Sequence, residues 1–290
     1  MKTINVVNGP QNASAIILGC MRMPALSVNE AGKMIHTASE LGVNFYDNAT
    51  CYTAGEAETR FGDAFAQSGI KREDVIIQSK CGLCFERNEF DWTKENILSS
   101  VDDSLRRMKI DYLDVLLLHR PDLIFEPEQV AEAFDTLEKN GKVRYFGVSN
   151  VPALQFSLEQ SQLIDQALYL NNKTTDMSID RDNGTIDYCR LHDITIQAWS
   201  PLQHGFFKGC FVDDPGFPEL NKALQEIGDK YGVPKTAVAI AWILRHPAKM
   251  QAIAGTMNPD HLKDICQASK VDLTHHEWYQ LYLAAGKYLP

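Results

Sequence analysis

Several features are absent from the 290-residue chain, and each absence excludes a class of protein. No apolar run approaches the ~20 residues that a membrane-crossing helix requires. Met1–Pro10 has one lysine and no long apolar stretch, so no secretory signal is expected there. Basic residues are outnumbered, 28 against 38, for a net charge of −10, and no basic stripe is visible. Nucleic acid and membrane surfaces are therefore not expected as partners. The seven cysteines are odd in number and scattered from Cys20 to Cys266. That fits reduced thiols in a cytoplasmic protein better than a disulfide framework. Cys81-x-x-Cys84 has no second pair, so no metal is expected. No Gly-x-Gly-x-x-Gly turn follows a β-rich run, which argues against the open dinucleotide-binding fold.

What is present is a folded chain's composition, 44% hydrophobic and 23% charged, arranged in a repeating pattern. Short β-rich runs occur at Asn44–Asp47, Val75–Ser79, Tyr112–Leu118, Val143–Val148, Leu163–Leu170, Ile194–Trp199 and Met250–Ala254. Amphipathic stretches separate them: Val28–Leu41, Glu56–Gln67, Thr93–Met108, Pro127–Lys139, Pro152–Gln160 and Gly184–His192. Gly42 and Gly141 follow two of these where a left-handed cap is common. Thr93 or Asp91 is placed to cap the helix that follows. Strands alternating with helices predict a parallel sheet. With no composition shift to mark a linker, the expectation is a single (β/α)8 TIM barrel domain spanning 1–290. An eighth strand is expected between Leu202 and Thr236, where the pattern is poor. Met1–Met23 is expected to form a short N-terminal hairpin, and Thr274–Pro290 a C-terminal extra helix.

In such a barrel the active site lies at the C-terminal ends of the strands. Asp47 and Tyr52 follow the first run, Lys80 the second, His119 the third, and Ser149 and Asn150 the fourth. Singly, each has an ordinary explanation: a turn former, a packing ring, a solvated lysine, a half-buried histidine. Jointly they make chemical sense. A phenol titrates near 10, and an adjacent ammonium favours its phenolate. A carboxylate holds that ammonium in place, and a neutral imidazole orients a carbonyl. The set is a proton donor for an oxygen gaining negative charge, which predicts carbonyl reduction with hydride from elsewhere.

The same segments resemble the aldo-keto reductases over nearly the whole chain, and the bacterial branch most. The carriers are Phe45-Tyr46-Asp47-Asn48-Ala49-x-x-Tyr52, Leu117-Leu118-His119-Arg120-Pro121-Asp122, Gly147-Val148-Ser149-Asn150 and Ala198-Trp199-Ser200-Pro201-Leu202. The resemblance implies a barrel that binds extended NADPH without a Rossmann domain. It implies Tyr52 as general acid, Lys80 as its pKa-lowering partner, Asp47 as the mate of Lys80, and His119 as the substrate orienter. Ser149, Asn150 and Gln166 would hold the carboxamide, and Trp199 would stack on the nicotinamide. Ser200 and Leu202 would meet the pyrophosphate, with Met21 and Arg22 beside the nicotinamide ribose. At the adenine end, Gly255 and His261 stand where the family often has Lys and Arg. Thr256, Asn258 and the helix N-terminus that follows remain to hold a phosphate, with Lys263 nearby. NADPH is expected, with NADH as the competitor.

Met23, Phe85, Arg120 and Phe206 are candidate pocket residues for a small-molecule carbonyl substrate. Cys51 and Cys81 flank Tyr52 and Lys80. A cationic neighbour activates a thiol, so redox sensitivity stands beside the simpler reading of two inert small residues. His275 and His276 read as surface. The competing function is an NADPH-binding redox-sensing or regulatory subunit with slow catalysis. A metal-dependent barrel would need several strand-end histidines, and only His119 is placed. A monomer or weak dimer is expected.

Overall fold

The computed structural model describes residues 1–6, 9–151, 163–167 (backbone path), 184–204 and 209–289. Eight parallel strands form its centre: β1 (Ile16–Gly19), β2 (Phe45–Asp47), β3 (Ile76–Cys81), β4 (Leu113–Leu118), β5 (Val143–Ser149), β6 (Leu163–Ala167), β7 (Thr195–Trp199) and β8 (Gln251–Ala254). Each pairs with the next in sequence, and β8 pairs with β1 through Ala252–Ile16 and Ala254–Leu18, closing the barrel. Helices surround it, among them α1 (Val28–Glu40), α2 (Glu56–Gln67), α3 (Lys94–Met108) and α4 (Pro127–Lys139).

The position of β1 corrects the expected eighth strand. It is Ile16–Gly19, not a run between Leu202 and Thr236. That later stretch instead holds helix Pro218–Tyr231, and helix Lys235–Leu244 follows it. Four apolar residues buried on both faces carry no alternation, so β1 is invisible to a period-2 reading. The N-terminal hairpin is correspondingly smaller, pairing Thr3–Ile4 with Ala13–Ser14. The C-terminal helix runs His275–Ala284 from a Thr274–Glu277 capping box. Helix Pro152–Gln160 lies outside the described residues.

Local signals act as their chemistry requires. Thr93 accepts from Asn96 N at the start of α3, while Asp91 Oδ1 accepts from Thr93 N. Gly42 and Gly141 take φ of 78° and 69°. The eight-residue apolar run Ala237–Leu244 is a helix, buried almost throughout. Among the described residues no helix is long and apolar enough to cross a membrane.

Strand alternation then decides what faces the barrel interior. Ile17, Phe45, Ile76, Val115, Leu117 and Ile253 pack together inside. Ile16, Leu18, Tyr46, Ile77, Leu116 and Leu118 pack outward with the helices. On β3, therefore, Gln78 and Lys80 share the inner face with Ile76, and Ser79 faces α2, where its hydroxyl donates to Glu58 (2.5 Å).

Candidate active site

Asp47 is the last residue of β2 and Lys80 the penultimate residue of β3. Both point inward at the C-terminal end and are almost fully buried. Lys80 Nζ donates to Asp47 Oδ1 (2.5 Å), to the carbonyl of Asn48 (3.2 Å) and to Tyr52 Oη (3.1 Å). An ammonium has three donors and no acceptor, so Tyr52 must offer Lys80 its oxygen, and its own hydrogen points elsewhere. Tyr52 is delivered by a short helical turn, Tyr52–Gly55, held by strained positive φ at Thr53 and Ala54.

His119 follows β4 and is buried beside Tyr52, ring edge to ring face (centroids 5.7 Å apart, 81°). Burial first, then the charges of Lys80 and Arg120, hold its pKa well below the usual 6.5. The imidazole is therefore neutral at pH 7. Cys51 Sγ lies 3.3 Å from its Nδ1. Burial pushes the Cys51 thiol up to about 11, outweighing the Lys80 charge, and also raises the fully buried Cys81. Both thiols stay protonated, which supports the inert reading over the redox-sensitive one.

A second group of predicted residues sits across the barrel mouth. Trp199 Nε1 donates to Asn150 Oδ1 (3.1 Å), and Asn150 Nδ2 donates to Ser149 Oγ (2.7 Å). Asn150 and Ser200 hold φ of 60° and 51°, strained for non-glycine residues. Arg22 Nη1 donates to the carbonyl of Gly255 (3.4 Å), joining the loop after β1 to the loop after β8. Met21 and Leu202 are half-buried. At the start of helix Pro259–Cys266, Asn258 N donates to Thr256 Oγ1, and Asp260 N donates to Asn258 Oδ1. His261 is exposed, and Lys263 is tied to Asp260 (2.9 Å). The Gln166 side chain and Phe206 lie outside the described residues. Met23 is fully buried in the core and is not a pocket residue, while Phe85 is exposed.

Two contacts were missed by the sequence reading. Gln78 Nε2 donates to Asp47 Oδ1 (2.7 Å). Its signal was available: a polar residue two before Lys80 shares that residue's face. Cys51 was noticed for its reactivity, but its contact with His119 spans 68 residues and has no local signal.

Residues 15–282 match the family model described as Aldo/keto reductase family. The chain belongs to the aldo/keto reductase family. A relative named 6-dehydroglucose reductase, from Agrobacterium fabrum, is 35% identical over 85% of this chain and 84% of its own. An uncharacterized oxidoreductase, YcsN of Bacillus subtilis, is 31% identical over 95% of both chains. A more distant one, from Escherichia coli, is named NADH-specific methylglyoxal reductase (27% identical, 82% of each chain). Among solved structures, the thermostable aldo-keto reductase Tm1743 superimposes with a TM-score of 0.81, covering 98% of this chain and 100% of its own at 23% identity. An aldo/keto reductase is an oxidoreductase of small carbonyl compounds that uses a nicotinamide cofactor, and the barrel described above is that family's fold.

Proposed function

We propose that the protein reduces an aldehyde or ketone, with Tyr52 giving the proton to the carbonyl oxygen. The observation that carries this reading is the buried Lys80 ammonium, which touches Asp47 and Tyr52 at once beside a neutral His119. The residues at the barrel mouth fit a nicotinamide cofactor. Ser149 and Asn150 offer both donors and acceptors to a carboxamide, and the two positive φ values next to them are strain of the kind kept at ligand sites. A Cβ at Gly255 would meet nothing within 4 Å, so that loop leaves open space for a ligand.

When bound, the cofactor would supply the hydride. The chain's own residues do the rest. Ser149, Asn150 and Gln166 would hold the carboxamide, and Trp199, its indole fixed by Asn150, would stack on the nicotinamide. Ser200, Leu202, Met21 and Arg22 would hold the middle of the cofactor, and Gly255, Thr256, Asn258 and His261 its adenine end. His119 is neutral, with Nδ1 turned to Cys51, and presents Nε2 to the substrate oxygen. Tyr52 donates its proton there, and Lys80 stabilises the phenolate that remains, at 3.1 Å. Asp47, held by Gln78, keeps Lys80 charged and in place.

NADPH is the proposed reductant, with NADH used within about tenfold, or ~1.4 kcal/mol. The reason for so small a gap is Lys263, the nearest ammonium in sequence, which is already neutralised by Asp260. The relatives named for 6-dehydroglucose and methylglyoxal support a small carbonyl substrate. The chain acts as one barrel domain over 1–290, as a monomer or weak dimer. Its seven free cysteines suit the cytoplasm.

The test is NADPH oxidation, followed by absorbance with a reactive aromatic aldehyde, for wild type beside Tyr52→Phe. Turnover should fall by roughly 10²–10⁴ while cofactor affinity survives. Equal loss of cofactor binding would show that Tyr52 is not the acid. Tight binding with no turnover in the wild type would point to the regulatory subunit.

A further inference from the structure

Ten arginines fall among the described residues, and nine have a hydrogen bond or ion pair. Arg60, Arg72, Arg87, Arg106, Arg107, Arg144 and Arg190 meet carboxylates. Arg22 and Arg245 donate to backbone carbonyls. Arg120 has no such acceptor among the described residues, yet it is half-buried beside the candidate site. It follows His119 directly at the mouth of β4, and its guanidinium lies over the Trp199 ring, 5.8 Å from the centroid. Its charge is felt at both His119 and Cys51. The acids close by do not neutralise it. Asp47 is bound to Lys80, and Asp122, two residues on, accepts from the backbone N–H groups of Trp92 and Ile124.

An arginine is charged at every relevant pH and carries five donors in a rigid fork that matches a carboxylate. In the other nine described arginines that fork finds an oxygen. At the site mouth it lies over an indole in a cation–π contact, with no oxygen partner among the described residues. The net charge of −10 makes such an uncompensated cation stand out locally.

We propose that Arg120 is a specificity residue that binds an anionic group on the substrate, so that the preferred substrates are carbonyl compounds carrying a carboxylate a few bonds from the C=O. This rests on the reductase reading of the same site. The role differs from those of Tyr52 and His119: Arg120 selects and orients, and transfers no proton.

The experiment compares kcat/KM for succinic semialdehyde with that for its neutral methyl ester, in the wild type, Arg120→Met and Arg120→Lys. The wild type should favour the anion at least tenfold, and that preference should shrink at 0.5 M salt. Arg120→Met should reduce the ratio at least tenfold, chiefly through KM, and Arg120→Lys should keep part of it. A wild-type ratio near one, or a ratio that Arg120→Met leaves unchanged, overturns the assignment. A second readout needs no turnover: calorimetric titration of succinate into the protein with NADPH present. If neither aldehyde is reduced but succinate binds and Arg120→Met loses it, the Arg120 site stands and the reductase reading falls. Equal succinate binding by wild type and Arg120→Met overturns the Arg120 site.

Discussion

Replacing Lys80 with methionine separates what the buried pair does for the fold from what it does for the site. Lys80 and Asp47 are 1% and 2% exposed, and Asp47's other side-chain donor is the single amide of Gln78. Removing the ammonium strands a carboxylate in the barrel. Breaking a buried pair in this way costs about 3–5 kcal/mol, a large share of a typical 5–15 kcal/mol total. At roughly 2–4 °C per kcal/mol for a large domain, the melting temperature should fall by about 6–20 °C. The double variant Asp47→Asn, Lys80→Met removes both charges and should regain most of the lost stability. It should regain none of the lost turnover, because Tyr52 still lacks the cation 3.1 Å from its oxygen. The assays are thermal melting by circular dichroism and NADPH oxidation with an aromatic aldehyde. A Lys80→Met protein as stable as wild type would refute the trapped carboxylate. A double variant with restored turnover would refute the part given to the ammonium.

Three further outcomes are expected. His119 and His246 both have pKa values lowered by burial, so the unfolded chain binds protons that the folded one refuses. Their contribution to stability is complete above the unfolded pKa of 6.5 and is lost as the pH falls below it, at up to about 1.4 kcal/mol per pH unit for His119 and less for the more exposed His246. Urea midpoints between pH 7.5 and 5.5 measure this, and a His119→Asn variant with an unchanged slope would contradict it. Arg107→Leu should destabilise by about 3–5 kcal/mol, because Glu58 is fully buried and then keeps only the Ser79 hydroxyl; no loss in a melting experiment would refute this reading of the buried pair. Gly62→Ala and Gly32→Ala should move the melting temperature in opposite directions. A Cβ at Gly62 would sit 2.6 Å from the Met108 backbone, where α2 crosses α3, whereas at Gly32 it meets only Ala64 O at 3.9 Å. The first costs about 1–3 kcal/mol in overpacking, and the second gains up to about 1 kcal/mol in helix propensity.

Much of the barrel could be read from the chain because its signals are local. Tyr112–Leu118 is an apolar run of strand length, and the structure places a strand at Leu113–Leu118. Gly42 and Gly141 mark helix ends because only glycine takes a left-handed cap without strain. β1 could not be read, because four buried apolar residues have the same appearance in a strand, a turn or a helix. The strand-end residues Asp47, Lys80 and His119 were legible as polar groups ending apolar runs. Their contacts were not: Gln78 on Asp47 and Cys51 on His119 join separate strands and loops.

The sequence by itself determined the alternation of strands and helices, and the family. Each follows from residue type at fixed spacing, and spacing survives without coordinates. Tertiary structure alone decided three matters. It closed the sheet through Ile16–Gly19, because the pairing of β8 with β1 joins residues more than 230 positions apart. It silenced Cys51, where burial outweighs the Lys80 charge, and Cys81, which is buried throughout, and burial is a property of the packed core. It left Arg120 over Trp199 without an acceptor among the described residues, because whether a charge is compensated depends on everything folded around it.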